Sequence, residues 1–294
     1  MVGILSEPHS PWANGVSHFD DLCARGPAWS SYEDEISLAG WRGRISSRLA
    51  RHLAIERRAL VNSRPMVSFT FDDAAESAAD VGARALESAN GRGTYYINTG
   101  HLGLDNGDYG IVDESAVRLL HARGHQIGLH SHKHRAVGSV SERNFIEDLE
   151  ICRERLETIH PSIRPRDFAY PYGMVNFARK RRLSGLVRSS RGITPGVNAG
   201  IFDPQYLKCV ELSDQRLTPE QLNAHIDEAV RSKGWLIFLS HDISPRPSSC
   251  GCTPELFGRA VARVVELGVE IVTVAAALDR SAVVKSMFPL RFSR

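Results

Sequence analysis

From residue 66 onward the chain alternates short runs dense in β-branched and aromatic residues with longer stretches of helical periodicity. The runs are "MVSFTF" (66–71), "TYYIN" (94–98), "HQIGLH" (125–130), "DFAYP" (167–171), "LKCVEL" (207–212), "WLIFLSH" (235–241) and "EIVTV" (270–274). Their composition predicts seven strands, a barrel-sized number, and "GLVRSS" (185–190) supplies a further short candidate. Between them lie "DESAVRLLHARG", "SERNFIEDLEICRERLETIH", "TPEQLNAHIDEAVRSKG" and "TPELFGRAVARVVELG". Three of these open on Ser or Thr with an acidic residue or Gln in the first turn, and three end at Gly, the marks of helix N- and C-termini. Strand, helix, strand in repetition predicts parallel strands with helices packed outside them.

Residues 1–63 break this rhythm. "PHSPWANG" is loop-like, whereas "ISLAGWRGRISSRLARHLAIERRAL" (36–60) has the pattern of an amphipathic helix rich in arginine. It reads either as a membrane-surface or partner helix, or as a helix packed on the barrel with a solvated basic face. The second is favoured, because "DEIS" just upstream offsets part of the positive charge. The expected organisation is an N-terminal extension over 1–63, a barrel over 64–280 and a short basic tail over 281–294.

Composition narrows the function classes. The 294 residues are 42% apolar and 24% charged, ordinary globular values. Lys and Arg number 36 against 34 acidic residues, and a net charge of +2 gives no argument for nucleic acid or an acidic surface. No stretch of about 18 apolar residues could span a bilayer, so no stable membrane insertion is expected. The start lacks the basic and apolar segments of a secretory signal, so the expectation is a cytoplasmic protein. Five cysteines form no regular framework; Cys250 and Cys252 invite a zinc reading, but a loop with two reduced thiols is favoured.

The polar residues that follow the strands carry the candidate chemistry, because in a closed parallel barrel all C-terminal strand ends share one rim. The first strand ends in Asp72 and Asp73. Successive side chains diverge, so these carboxylates suit two different tasks, one on a cation and one free beside it. The alternative is that one of them merely caps the next helix. "HSHKH" supplies His130 and His134 at i, i+4, which would share one face if the chain made a helical turn there. Asp73 could complete such a metal site. The helical zinc-protease pattern fails, since Ser131 stands where its glutamate would be. His132 would point away as a loop residue. Two His and one Asp would accept zinc, cobalt, nickel or manganese.

Taken together, "TFDD", "HSHKH", "FAYPYG" and "FLSHD" resemble, in order and separation, the NodB-homology polysaccharide deacetylases, carbohydrate esterase family 4. The resemblance spans roughly residues 64–280 and implies a distorted (β/α) barrel of about seven strands. The implied activity is removal of N-acetyl groups from amino sugars or oligosaccharides, as in chitooligosaccharide deacetylases, with a divalent metal, commonly zinc. By that resemblance Asp72 is the general base, and Asp73, His130 and His134 are the metal ligands. Tyr172 gives its backbone N–H to the oxyanion, Leu239 lines the acetyl-methyl pocket and His241 is the general acid.

The chain departs from the resemblance at Ala169, where the commonest form of the family has an arginine that holds the base. Arg164, Arg166, Arg188 and Arg191 are the candidates to replace it. A second enzyme reading keeps the metal centre but hydrolyses formamides, ureides or cyclic imides. A third is an inactive carbohydrate-binding module, which predicts loss of a ligand or an acid. Specificity lies in loops beyond the strand ends, so the acylated substrate is not written in these motifs.

Overall fold

The computed structural model describes residues 40–62 and 64–284. In chain order the elements begin with helix α1 (Gly40–His52), strand β1 (Arg58–Leu60), β2 (Met66–Asp72) and α2 (Ala83–Ser88), followed by β3 (Thr94–Ile97), α3 (Glu114–Ala122) and β4 (Gln126–Leu129). Next come α4 (Glu142–Ile159), β5 (Asp167–Ala169), α5 (Phe177–Leu183), β6 (Ser189–Arg191), β7 (Ile201–Phe202) and β8 (Val210–Glu211). The chain continues through α6 (Pro219–Ser232), β9 (Trp235–Ser240), α7 (Pro254–Glu266), β10 (Glu270–Ile271), α8 (Val274–Asp279) and β11 (Ser281–Val283).

Seven strands form a parallel sheet in the order β6-β5-β4-β3-β2-β9-β8, and β10 pairs with the start of β2. The sheet curls until its ends meet: Leu207, just before β8, bridges Arg191 at the end of β6, and its N–H donates to Ser190 O at 2.8 Å. All seven sequence-predicted strands are present, and the short candidate near 185–190 becomes β6, shifted to Ser189–Arg191. The result is the expected distorted (β/α) barrel.

Alternation along each strand divides the core in two. Val67, Phe69 and Phe71 of β2, Leu236 and Phe238 of β9, and Ile127 and Leu129 of β4 join helix residues such as Leu120, Leu149 and Val264 in one cluster. Met66, Trp235, Ile237 and Leu239 join Cys209 and Val272 in the other, inside the barrel. Both faces of the strands are therefore buried, which is why the sequence shows continuous apolar runs. Counting in twos along the inner face brings Asp72, Tyr96, Ala169, His130, Arg191 and His241 to or just past the rim.

The helices start where the sequence marks them. Asp113, Ser141, Thr218 and Thr253 each accept a backbone N–H from the first turn of α3, α4, α6 and α7. Thr218 and Gln221 form a reciprocal capping box.

The N-terminal stretch departs from the expected helix over 36–60. Within the described residues α1 ends at His52, and Arg58–Leu60 is a strand in a small antiparallel sheet of order β11-β1-β7. The partly buried carboxylate of Asp203 turns the chain by accepting the N–H groups of Ile55 at 2.9 Å and Glu56 at 3.3 Å. Asp203 is itself paired with buried Lys180 at 2.7 Å, which also donates to the carbonyls of Ala50 and Leu53. Residues 281–283, read from sequence as part of a tail, are the outer strand of this sheet. The loop-like "PHSPWANG" lies outside the described residues.

Candidate metal centre and active site

The first strand delivers two carboxylates to different partners by breaking its own alternation. Asp72 ends β2 on the inner face, whereas Asp73 would point outward if the strand continued. Instead Asp73 and Ala74 take left-handed backbone, with φ of 58° and 56°, swinging the second carboxylate back over the rim. Such angles cost roughly 1–2 kcal/mol for a residue with a Cβ. Among the described residues, Ser131, His134 and Tyr172 share the same conformation, with only Asn90 and Lys233 elsewhere. Strain concentrated in this way marks a site held by its surroundings.

His130 follows β4 and is 1% exposed. Its Nδ1 lies 3.0 Å from the carbonyl oxygen of Ala169. A carbonyl only accepts, so Nδ1 carries the proton and Nε2 presents a lone pair. The chain then bends without forming the helical turn that i, i+4 spacing suggested. Ser131 and His134 are left-handed, Ser131 Oγ accepts the His134 N–H at 3.0 Å, and the His134 ring folds back to meet His130. Asp148 of α4 fixes this bend by accepting the N–H groups of His132 and Lys133, both at 2.9 Å. His132 points away to Thr99 Oγ1 at 3.0 Å, as its place in the sequence suggested. Gly100 is required here: a Cβ on it would lie 2.2 Å from the His132 carbonyl oxygen.

His130 Nε2 and His134 Nε2 are 3.1 Å apart, and Asp73 Oδ1 lies 3.8 Å from the first and 3.5 Å from the second. Asp73 Oδ1 is buried and has no hydrogen-bond partner within the protein. A point equidistant from three atoms so placed is about 2.0 Å from each, the reach of zinc to nitrogen or oxygen. Two imidazole nitrogens and an orphaned carboxylate oxygen converging in this way fit a divalent cation. Among the described residues this is the one His/Cys/Asp/Glu cluster suited to a metal. The thiols do not compete: Cys252 is buried and accepts from Ser240 Oγ at 3.5 Å.

The electrostatics fit the same arrangement. Burial pushes the Asp73 carboxyl up, but His134, His130 and His241 outweigh it and hold the pKa at about 2. Burial pushes His134 down to about 4, against the pull of Asp73, so both groups are in their ligand forms at neutral pH.

Asp72 has a different partner. Arg191, at the end of β6 and fully buried, donates Nη2 to both oxygens of the Asp72 carboxylate. Burial raises the Asp72 pKa, yet Arg191, then His130 and His241, pull it below the ordinary value. Arg191 thus stands in for the arginine expected at Ala169. The substitution is local, because Ala169 and Arg191 are register partners on the adjacent strands β5 and β6. The other candidates are occupied elsewhere: Arg188 pairs with Asp167 and Asp279, and Arg164 bonds the carbonyls of Pro161 and Ile163. Arg166, by contrast, is an exposed residue whose carbonyl accepts the Arg188 N–H.

The remaining candidates surround this centre. The Tyr172 ring lies 4.5 Å from that of His134, centre to centre. Leu239 is 2% exposed on the inner face of β9, and His241 follows it on the same side. His241 Nδ1 is buried without a hydrogen-bond partner among the described residues. Asp148, Asn98 and His101 were not singled out from sequence; Asn98 Nδ2 lies 3.0 Å from His101 Nδ1, and the His101 ring is 6.2 Å from His134. Nothing in their spacing marks them, since each acts across the fold or within an ordinary loop.

Comparison with known proteins agrees with the fold. Residues 60–184 match the polysaccharide deacetylase family. A chitin deacetylase from the fungal pathogen Colletotrichum lindemuthianum superposes with a TM-score of 0.53 at 18% identity, over 74% of this chain and 92% of that one. A family 4 acetyl xylan esterase from Clostridium thermocellum, in complex with a cobalt ion, gives 0.51 at 21% identity, over 73% and 90%. A carbohydrate esterase family 4 pseudoenzyme from Bacillus anthracis gives 0.51 at 14% identity, over 74% and 66%. At these identities the likeness is one of fold. No curated protein sequence gives a significant match.

Proposed function

We propose that this chain, whose residues 60–184 match the polysaccharide deacetylase family, is a metal-dependent hydrolase that removes N-acetyl groups from an amino sugar or oligosaccharide. The observation that carries this is the convergence of Asp73 Oδ1, His130 Nε2 and His134 Nε2 beside a separate carboxylate, Asp72, clamped by Arg191. Zinc is the favoured ion; cobalt, nickel and manganese suit the same donors.

An amide is a weak electrophile with a poor leaving group, so hydrolysis needs activated water, a stabilised oxyanion and a proton for the departing nitrogen. Asp73, His130 and His134 would hold the divalent ion, which would supply Lewis acidity at this centre. Asp72, kept ionised by Arg191, takes the proton from the water that adds to the carbonyl carbon. The Tyr172 backbone N–H donates to the developing oxyanion, and Leu239 packs against the acetyl methyl. His241 gives a proton to the nitrogen as the C–N bond breaks, leaving acetate and a free amine. An inactive binding module is disfavoured, because neither a ligand nor the candidate base and acid has been lost.

The test is metal analysis of the purified protein, followed by acetate release from N-acetylglucosamine oligomers alongside panels of formamides and cyclic imides. Zinc near one equivalent with acetate release supports the proposal. Turnover only on formamides or imides moves the substrate class, and a metal-free protein inert to added zinc sinks it.

A further inference from the structure

We infer that helix α1 docks this protein on an anionic lipid surface. One side of the helix is committed to the barrel: Ala50 is fully buried, Ser46 Oγ accepts the Phe177 N–H at 3.1 Å, and Lys180 binds the carbonyls of Ala50 and Leu53. The other side is apolar where water would favour polar residues. Ile45, Leu49 and Leu53, four residues apart, are 50%, 41% and 46% exposed. That spacing lines them up along the helix, so they form a stripe and not scattered single side chains.

Charge identifies the occupant. Arg44, Arg48, Arg51 and His52 are exposed beside the stripe, and no acidic residue occurs between Gly40 and Leu53. Arg181 of the neighbouring helix α5 is exposed as well. An apolar stripe edged by guanidinium groups matches acyl chains lying beneath anionic headgroups. A second copy of this chain fits poorly, since a two-fold contact would bring two such arginine rows together without a carboxylate between them. Nor does the contact require a spanning segment: among the described residues no helix is long and apolar enough to cross a membrane.

The test is co-sedimentation of the full chain, with Glu33, Asp34 and Glu35 present, on vesicles of equal parts phosphatidylglycerol and phosphatidylcholine, against phosphatidylcholine alone. The wild type is expected to partition at least about tenfold more strongly onto the anionic vesicles, an excess that roughly 1 M salt removes. L49E, and separately R44E/R48E, are expected to lose that binding while keeping the thermal midpoint and metal content of the wild type. Equal binding to both vesicles, no binding, or anionic binding unchanged in L49E overturns the inference. So does a lipid-free dimer that L49E dissociates, which would assign the stripe to self-association.

Discussion

Replacing Arg191 by Ala tests the electrostatic core of the site. The guanidinium is fully buried and carries both oxygens of Asp72, itself 4% exposed. Removing one partner of such a pair leaves an uncompensated buried charge, which costs about 3–5 kcal/mol. Asp72 can relieve this only by taking up a proton. Burial is the largest influence on this carboxyl and acts upward, so without Arg191 its pKa rises instead of falling. In the wild type the depressed pKa contributes stability that is present above the unfolded value of about 3.9 and lost as pH falls through the folded value. In R191A the sign reverses, so the two proteins differ most at neutral pH and converge in acid. The assays are urea unfolding across pH and the pH dependence of kcat/KM for an N-acetylglucosamine oligomer. The acidic limb of the rate profile should move up by at least about one pH unit, a tenfold loss at a fixed pH on that limb. Because Ala169 and Arg191 are register partners on strands about 4.8 Å apart, A169R/R191A should recover part of both losses. An acidic limb that stays in place in R191A would refute the assignment of Asp72 as the base that Arg191 holds.

Three further outcomes are expected. H241A should keep its zinc but lose turnover, whereas D73A should lose zinc; metal analysis beside acetate release separates them, and zinc loss in H241A would exchange their roles. D148A frees the backbone bend that carries His134 and should weaken zinc binding by roughly 10–100-fold, measured by competition with a chelator, with no change in the acidic limb set by Asp72. His125 is buried with Nδ1 accepting the Gly93 N–H and Nε2 on Glu87, both at 2.9 Å, and burial lowers its pKa despite Glu87. Its contribution to stability is thus full above about pH 6.5 and lost as pH falls below that value, so H125Q should flatten the fall of the thermal midpoint between roughly pH 7 and 5. Equal slopes for the two proteins would show that His125 does not carry that dependence.

What the sequence made legible follows the range of the interactions involved. Strands buried on both faces leave apolar runs that need no partner to be recognised, and the residues that end them fall on one rim by counting in twos. Asp72 and His130 are legible that way, Asp73 and His134 by their places directly after these strand ends, and the structure brings all four together. The i, i+4 spacing of the histidines is a weaker guide to backbone: the rings converge through left-handed Ser131 and His134, a non-helical bend fixed by Asp148 of helix α4. Similarly, helix α1 stops at His52 because Asp203, 148 residues beyond Ile55, captures the next N–H groups. Arg191 is the sharpest case. Four arginines lay within reach along the chain, and none could be preferred without knowing that β5 and β6 pair Ala169 with Arg191. Once that register is known the choice is forced, because Arg188 is already bound to Asp167 and Asp279. An arginine that crosses from one strand to its neighbour keeps its charge at the same height above the barrel floor, so the carboxylate it holds need not move. Exchanges of this kind should be sought wherever a parallel strand end has lost an expected charge, by reading the facing position of the adjacent strand before concluding that the function has gone.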